Sequence, residues 1–416
     1  MCPEAVMHSS HRATKQSGRP ATWRERQVVK RLDRLHTGRL EVALPGGSLA
    51  LFVGRRPGPS AALRIVSPRM VTRLFKAGSI GFAEGYMAGE WDTPDLAALI
   101  YLLHLNEDAL EPDFSRLQHL YTAMSAVRHR LRRNSRRGAR RNIAYHYDLG
   151  NDFYGLWLDE TWTYSSALFA HPEEDLASAQ RRKYARLLAR LDVQPGDRIL
   201  EIGCGWGGFA RYAARQADCH VTGLTLSTEQ LTFARRAATE AGLEQQLDFQ
   251  LRDYRDVDER FDHVVSIEMY EAVGERYWPD YFGAIFRALK PGGRAAIQAI
   301  TIDDSRFDYY RANVDFIQEY IFPGGMLASP AVFEREAARA GLNVRERDFH
   351  GRDYARTLMR WDARVVARGA EIEALHGASF LRMWRYYLAY CAAGFTSGNI
   401  DLMQIALERP IGESAR

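Results

Sequence analysis

The chain is short of cysteine, with four in 416 residues at Cys2, Cys204, Cys219 and Cys391. Cysteines so few and so scattered exclude a disulfide framework and a Cys-rich zinc site, and a reducing cytoplasm is the expected compartment. Also absent is any run of about 18 uncharged apolar residues, so no transmembrane helix is expected. The first residues carry no apolar block of the signal-peptide kind. Acid is missing from one stretch: Arg128 to Arg141 holds eight arginines and neither Asp nor Glu. The net charge is +4, which leaves the other residues at −4. Such a segment suits an anionic surface, and equally a solvated arginine-rich linker. What is present, 46% hydrophobic and 26% charged residues, is a soluble globular composition with length enough for two domains.

The pattern divides the sequence into four parts. Residues 1–18 are polar and irregular and are expected to form a disordered tail. Residues 19–127 mix strands and helices into a small α+β domain with its own core. Within it LEVALPGGSLALFVG reads as a hairpin turning at Pro45, Gly46 and Gly47, GSIGFAEGYMAGEWD as a loop, and DLAALIYLLHL as an apolar helix. The arginine-rich linker spans 128–141. From 142 to 416, RILEI, CHVTGL, LDFQL, FDHVVSI and RAAIQAITI alternate with helices. That alternation predicts an α/β fold, a doubly wound parallel sheet with helices on both faces. LNVRERDF and DLMQIALER read as two further strands.

The sharpest local signal is Arg198-Ile-Leu-Glu-Ile-Gly-Cys-Gly-Trp-Gly-Gly208, a buried strand running into a glycine-rich turn. Glycines there let a ligand approach the backbone amides, and the following helix start adds partial positive charge. The spacing is not G-x-G-x-x-G, and no Gly-Lys-Ser/Thr follows, so neither a dinucleotide fingerprint nor a phosphate loop is present. The E-x-G-x-G-x-G form resembles that of S-adenosylmethionine (SAM) methyltransferases. In a doubly wound sheet the carboxyl ends of neighbouring strands line one crevice. Thr225 and Gln230 are placed there to hydrogen-bond the methionine or ribose part, and Tyr254 to lie against the adenine.

Further motifs extend the resemblance. They are Tyr145-His-Tyr-Asp-Leu-Gly-Asn-Asp-Phe153, Trp162-Thr-Tyr-Ser-Ser-Ala-Leu-Phe169, Gly223-Leu-Thr-Leu-Ser227 and Ser266-Ile-Glu-Met-Tyr-Glu-Ala-Val-Gly274. Asp353-Tyr-Ala-Arg-Thr-Leu358 and Tyr386-Tyr-Leu-Ala-Tyr-Cys-Ala-Ala-Gly-Phe395 follow in order. Together they resemble the cyclopropane-fatty-acyl-phospholipid synthase family, which includes the mycolic acid cyclopropane synthases. The resemblance implies a SAM-dependent methyltransferase of Rossmann-like fold that adds a methylene across a cis double bond of a phospholipid's fatty acyl group, giving a cyclopropane ring. It implies SAM contacts at Tyr147, Tyr164, Ser165, Gly203, Gly205, Thr225, Gln230, Tyr254 and Arg255. It implies as well a bound bicarbonate as base, held by a glutamate at Glu271, a tyrosine at Tyr354 and a backbone amide near Ser166. Cys391 matches a late cysteine of the family and is expected in the wall of the acyl tunnel.

This sequence departs from that pattern at the base. Ser166 replaces a cysteine, which is mild if the amide makes the contact. Gln298 stands where the family has histidine, and it can donate to an anion without carrying charge. Glu268 lies three residues before Glu271, where the family often has a small residue. The two carboxylates would repel an anion or share a proton if both face the pocket, or Glu268 pairs elsewhere. Methyl transfer is therefore better supported than ring closure, and a C-methyltransferase acting on the acyl group, giving a methyl-branched or methylated-alkene product, is the alternative. The arginine run raises a nucleic-acid methyltransferase, but no Pro-Pro-Tyr/Phe or Pro-Cys segment exists. A non-catalytic lipid-binding protein is the remote alternative, opposed by the intact glycine loop. No metal and no nucleic acid are expected. The expected setting is the inner face of a membrane, bound peripherally to phospholipid, with a homodimer as the state the longer enzymes imply.

Overall fold

The computed structural model describes residues 13–15, 23–110 and 149–412. The arginine run and Tyr147 lie outside the described residues. The protein divides into two compact units. The first takes residues up to 124 together with His376–Ser397, and the second takes 125–375 together with 398–416.

The first unit is built on a five-stranded sheet. Its strands are β1 (Ala13–Lys15), β2 (Thr37–Ala43), β3 (Leu49–Val53), β4 (Arg56–Ile65) and β5 (Trp91–Asp92), in the order β1-β3-β2-β4-β5. The expected hairpin is β2–β3, with Ala43 opposite Leu49. Gly47 takes φ +80° in its turn, which a side chain would oppose. Leu40 and Val42 alternate into the core. The apolar helix spans Leu96–Leu105, and the Asp95 carboxylate accepts from the Ala98 amide at 2.9 Å. Directly after it, Asn106 is fully buried. Its Oδ1 accepts from the His36 and Thr37 amides, both at 2.9 Å, and its Nδ2 donates to the Thr37 and Leu102 carbonyls.

Two expectations for this unit are corrected. Residues 13–15 of the supposed tail pair with β3. The glycine-rich stretch read as a loop is mostly helix: Arg69–Met87 is helical apart from a break at Gly78, with φ +57° and ψ −132°. Ile80, Ala83 and Tyr86 repeat at helical spacing and are buried, and that apolar face outweighs the weak helix propensity of glycine.

A third correction concerns the boundary. The helix Ala378–Ser397, expected in the catalytic domain, belongs to the first unit. Tyr386 packs on Tyr86 and Tyr390 on His104, while Arg382 donates to the carbonyls of Tyr86 and Trp91. An amphipathic helix shows in its own sequence that it has a buried face, but not which element covers it.

The second unit carries the expected doubly wound sheet. Its strands are β6 (Arg198–Ile202), β7 (His220–Thr225), β8 (Leu247–Leu251), β9 (Phe261–Ile267), β10 (Leu289–Ile302), β11 (Asn343–Phe349) and β12 (Ile400–Glu408). Their order is β11-β12-β10-β9-β6-β7-β8, and β12 alone runs antiparallel. All five βα strands and both late strands read from the sequence are present. Alternation sends Leu200, Val264 and Ile297 into one core and Ile199, Val265 and Ala296 into another on the opposite face. The second face is covered by the helix Leu176–Leu191 through Tyr184, Leu187 and Leu191. Among the described residues no helix is long and apolar enough to cross a membrane.

Candidate active site

At the carboxyl ends of β6, β7 and β9 the second unit opens a cleft. Tyr164, Ser165, Gly203, Gly205, Thr225, Gln230, Tyr254 and Arg255 all line it, as do Glu201 and Glu268. The sequence therefore places eight of its nine expected SAM contacts in one crevice, and the ninth, Tyr147, lies outside the described residues.

The glycine turn shapes the floor. Gly203, Gly205 and Gly207 all have positive φ, at 82°, 53° and 76°. A Cβ on Gly203 would press on Met269 at 2.8 Å and one on Gly207 on Phe249 at 2.7 Å, whereas one on Gly205 would meet no protein atom within 4 Å. Gly205 thus faces the open cleft, and a side chain there would occupy ligand space. The rim is preorganised. Thr225 Oγ1 bonds Gln230 Oε1 at 2.8 Å, and Asp253 holds Arg255 through both carboxylate oxygens. Glu201 is buried, and its Oε2 has no protein partner. Burial pushes its pKa up to about 8, opposed by the charges of Lys183 and Arg211. An orphaned carboxylate oxygen, a side-chain-free approach at Gly205 and an aromatic at Tyr254 fit the amino group, the backbone-hugging body and the adenine of SAM.

Beyond the cleft floor stands the cluster of residues expected to serve the base. Glu268 closes β9 with φ +51°, a left-handed conformation that costs a non-glycine residue about 1–2 kcal/mol. Three donors hold its carboxylate. Oε1 accepts from the Ser166 amide at 2.8 Å and from Gln298 Nε2 at 2.7 Å, and Oε2 accepts from the Tyr354 hydroxyl at 2.5 Å. The orientation of Gln298 is set by Gln404, its partner across β10–β12, which donates Nε2 to Gln298 Oε1 at 2.8 Å. The Gln298 amide nitrogen is thereby turned to Glu268 and, at 3.4 Å, to the Ser166 carbonyl.

Glu271 lies one 3-10 turn further on. Its Oε1 accepts from the Ile300 amide at 2.5 Å, and its Oε2 is buried without a partner. Burial, then the neighbouring Glu268 charge, pushes Glu271 up to about 8. Burial also raises Glu268, but Tyr354, Lys183, the Ser166 amide and Gln298 all pull the other way. The hydrogen bonds therefore favour Glu268 as the carboxylate of the pair and Glu271 as the acid.

Of the six residues expected at the reaction centre, five converge here. Cys391 is on the helix Ala378–Ser397 of the first unit and is half-buried. A bicarbonate does not fit this cluster as the resemblance implied. The Ser166 amide, Gln298 and Tyr354, which were to hold it, are engaged by Glu268 instead.

Three residues escaped the sequence reading. Gln404 carried one faint signal, a lone amide inside the apolar strand DLMQIALER. Glu201 was read only as part of its motif. Lys183 looked like any helix-surface lysine in RRKYARLLARL, yet it is fully buried.

Comparison with known proteins agrees with the geometry. The family model for mycolic acid cyclopropane synthetases matches residues 134–405. The tuberculostearic acid methyltransferase of Mycobacterium tuberculosis is 43% identical over 350 residues, covering 82% of this protein and 81% of its own length. The cyclopropane-fatty-acyl-phospholipid synthase of Escherichia coli is 35% identical over 361 residues, 86% and 90% of the two proteins. A mycolic acid cyclopropane synthase solved with SAH and CTAB superposes with a TM-score of 0.62 at 31% identity, covering 65% of this protein and 98% of that one. The protein belongs to this family, the SAM-dependent methyltransferases and cyclopropane synthases that act on lipids.

Proposed function

We propose that the protein transfers a methyl group from SAM to the cis double bond of an unsaturated fatty acyl group borne by a phospholipid, and that Glu268 accepts the proton released afterwards. The observation that carries this reading is the seat of Glu268: one carboxylate held by the Ser166 amide, Gln298 and Tyr354 at the edge of the cleft. SAM, when bound, supplies an electrophilic methyl group. The alkene that takes it up is left with a positive charge, which the Glu268 carboxylate stabilises at short range. Glu268 then removes a proton, and the electrons of the broken C–H bond form a carbon–carbon bond. Glu271, uncharged at neutral pH, adds no second negative charge to the pocket.

Those electrons close either a double bond or a three-membered ring. We favour the methylated alkene, the precursor of a methyl branch. The sequence departs from the cyclopropane pattern at Ser166, Glu268 and Gln298, all at the proton-removal step, and its 43%-identical relative is named as a tuberculostearic acid methyltransferase. The E. coli relative keeps ring closure as the second reading. Binding at a membrane surface follows from the lipid substrate, with the arginine run as the attachment. The test is incubation with SAM labelled in its methyl group and phospholipid vesicles bearing cis-unsaturated acyl groups. A labelled acyl product that ozone cleaves is expected. A labelled product resistant to ozone selects the ring, and no transfer to unsaturated acyl groups overturns the reading.

A further inference from the structure

Lys183 sits on the helix Leu176–Leu191 with its side chain entirely inside the second unit. A buried lysine is costly unless something nearby needs its charge. Here Nζ donates to Ser165 Oγ at 2.7 Å and lies 4.7 Å from the centre of the Tyr184 ring. Among the described residues no carboxylate oxygen lies within 4.0 Å of it. One helical turn earlier, Gln180 donates Nε2 to the Ser165 carbonyl at 2.8 Å. The i, i+3 pair Gln180 and Lys183 thus grips Ser165 from one helix face. The next residue along is Ser166, whose amide is bound to Glu268.

We propose that Lys183 is the positioning residue of the proton-removal step: its ammonium fixes Ser165, presents the Ser166 amide to Glu268, and supplies the positive charge that keeps Glu268 anionic. This rests on the reading of Glu268 as the proton acceptor. The groups facing Lys183 are Glu268 at the end of β9, Glu201 on β6, Asp159 in the loop before Trp162, and the ring of Tyr184 on its own helix. Glu268 in turn faces Tyr354 from the helix Gly351–Ala367, Gln298 from β10 and Glu271 beyond it. Lys183 is the only cation among these groups. Burial drives its own pKa down to about 7, while Glu268, Asp159 and Glu201 oppose the fall. With the carboxylates opposing its loss, the ammonium is carried up to about pH 7 and given up above it.

The experiment compares pH–rate profiles of the wild type, Lys183→Met, Lys183→Arg and Glu268→Gln, with SAM affinity and melting temperature measured for each. Loss of the ammonium should move the acid limb of turnover in Lys183→Met to higher pH. Activity should fall roughly tenfold near pH 6 and recover toward pH 9, the scale of one lost opposite charge. Lys183→Arg, which keeps the charge, should return the limb toward its wild-type place. An unchanged limb in folded Lys183→Met, with Glu268→Gln inactive, overturns this proposal and leaves the base assignment standing. An active Glu268→Gln overturns the base assignment itself. If Lys183→Met does not fold, a limb in Lys183→Arg displaced as far as neutralisation would displace it counts equally against the role of charge.

Discussion

Asn106 in the first unit and Glu271 in the second both bring buried polar atoms to a short turn after a regular element. They are treated in opposite ways. All four hydrogen-bonding positions of Asn106 that its neighbours can reach are used. Glu271 keeps one oxygen buried with nothing to bind, as does Glu201 at the cleft. A satisfied buried amide fixes a backbone crossing. An unsatisfied buried acid costs stability and is retained where chemistry needs it. The contrast separates a side chain that serves structure from a site built for reaction, and substitutions at the two should divide accordingly.

The largest effect is expected at the held carboxylate. Glu268→Gln should lower turnover by roughly a hundredfold or more, the scale of losing a positioned base, with SAM affinity nearly unchanged. Added bicarbonate should not alter the wild-type rate, since the donors meant for that ion are occupied. Next comes Gly205→Val, whose side chain meets no protein atom at Cβ and projects into the cleft. SAM binding, followed by titration calorimetry, should be lost while the far-ultraviolet circular dichroism stays native. Native affinity in that variant would remove the glycine turn from the binding site.

On the structural side, Asn106→Leu strips partners from two amides and two carbonyls at once. Denaturant titration should show a loss of about 2–5 kcal/mol, from several buried groups left unpaired, with the turnover of the remaining folded protein unchanged. A last measurement sharpens the contrast through pH. The Glu271 carboxyl, raised from 4.5 to about 8, stays protonated in the native state where the unfolded protein has already ionised. Its contribution to stability is therefore complete below pH 4.5 and lost as pH rises through about 8. Glu271→Gln cannot ionise, so its melting temperature should fall less than that of the wild type between about pH 5 and pH 9. Parallel curves would show that Glu271 is not held neutral.

Much of the second unit was readable from sequence because its central strands are apolar runs set off by turns, although Val344 in the charged strand β11 is exposed. The cofactor crevice was readable for the same reason, since it falls where those strands end. The base cluster was only half readable. Glu268 could be seen to stand beside Glu271, but the partners that settle its role lie 102, 30 and 86 residues away at Ser166, Gln298 and Tyr354. Nothing local states that these three distant donors meet at one carboxylate. Lys183 was hidden by a different cause: a lysine in a charged helix looks solvated until the helix is seen to turn that face inward.

The path of the backbone through the two units has a consequence for synthesis. When residue 124 has left the ribosome, the first unit still lacks the helix Ala378–Ser397 that packs against its own Leu96–Leu105. When residue 375 has emerged, the second unit still lacks β12, which fills the gap between β10 and β11. Neither unit can complete its core during elongation, so both wait on the last segment, and an apolar helix face and an open sheet stay exposed meanwhile. A nascent polypeptide of this kind depends on prompt completion or on a chaperone. A cut between 125 and 397 yields no fragment that holds a whole unit.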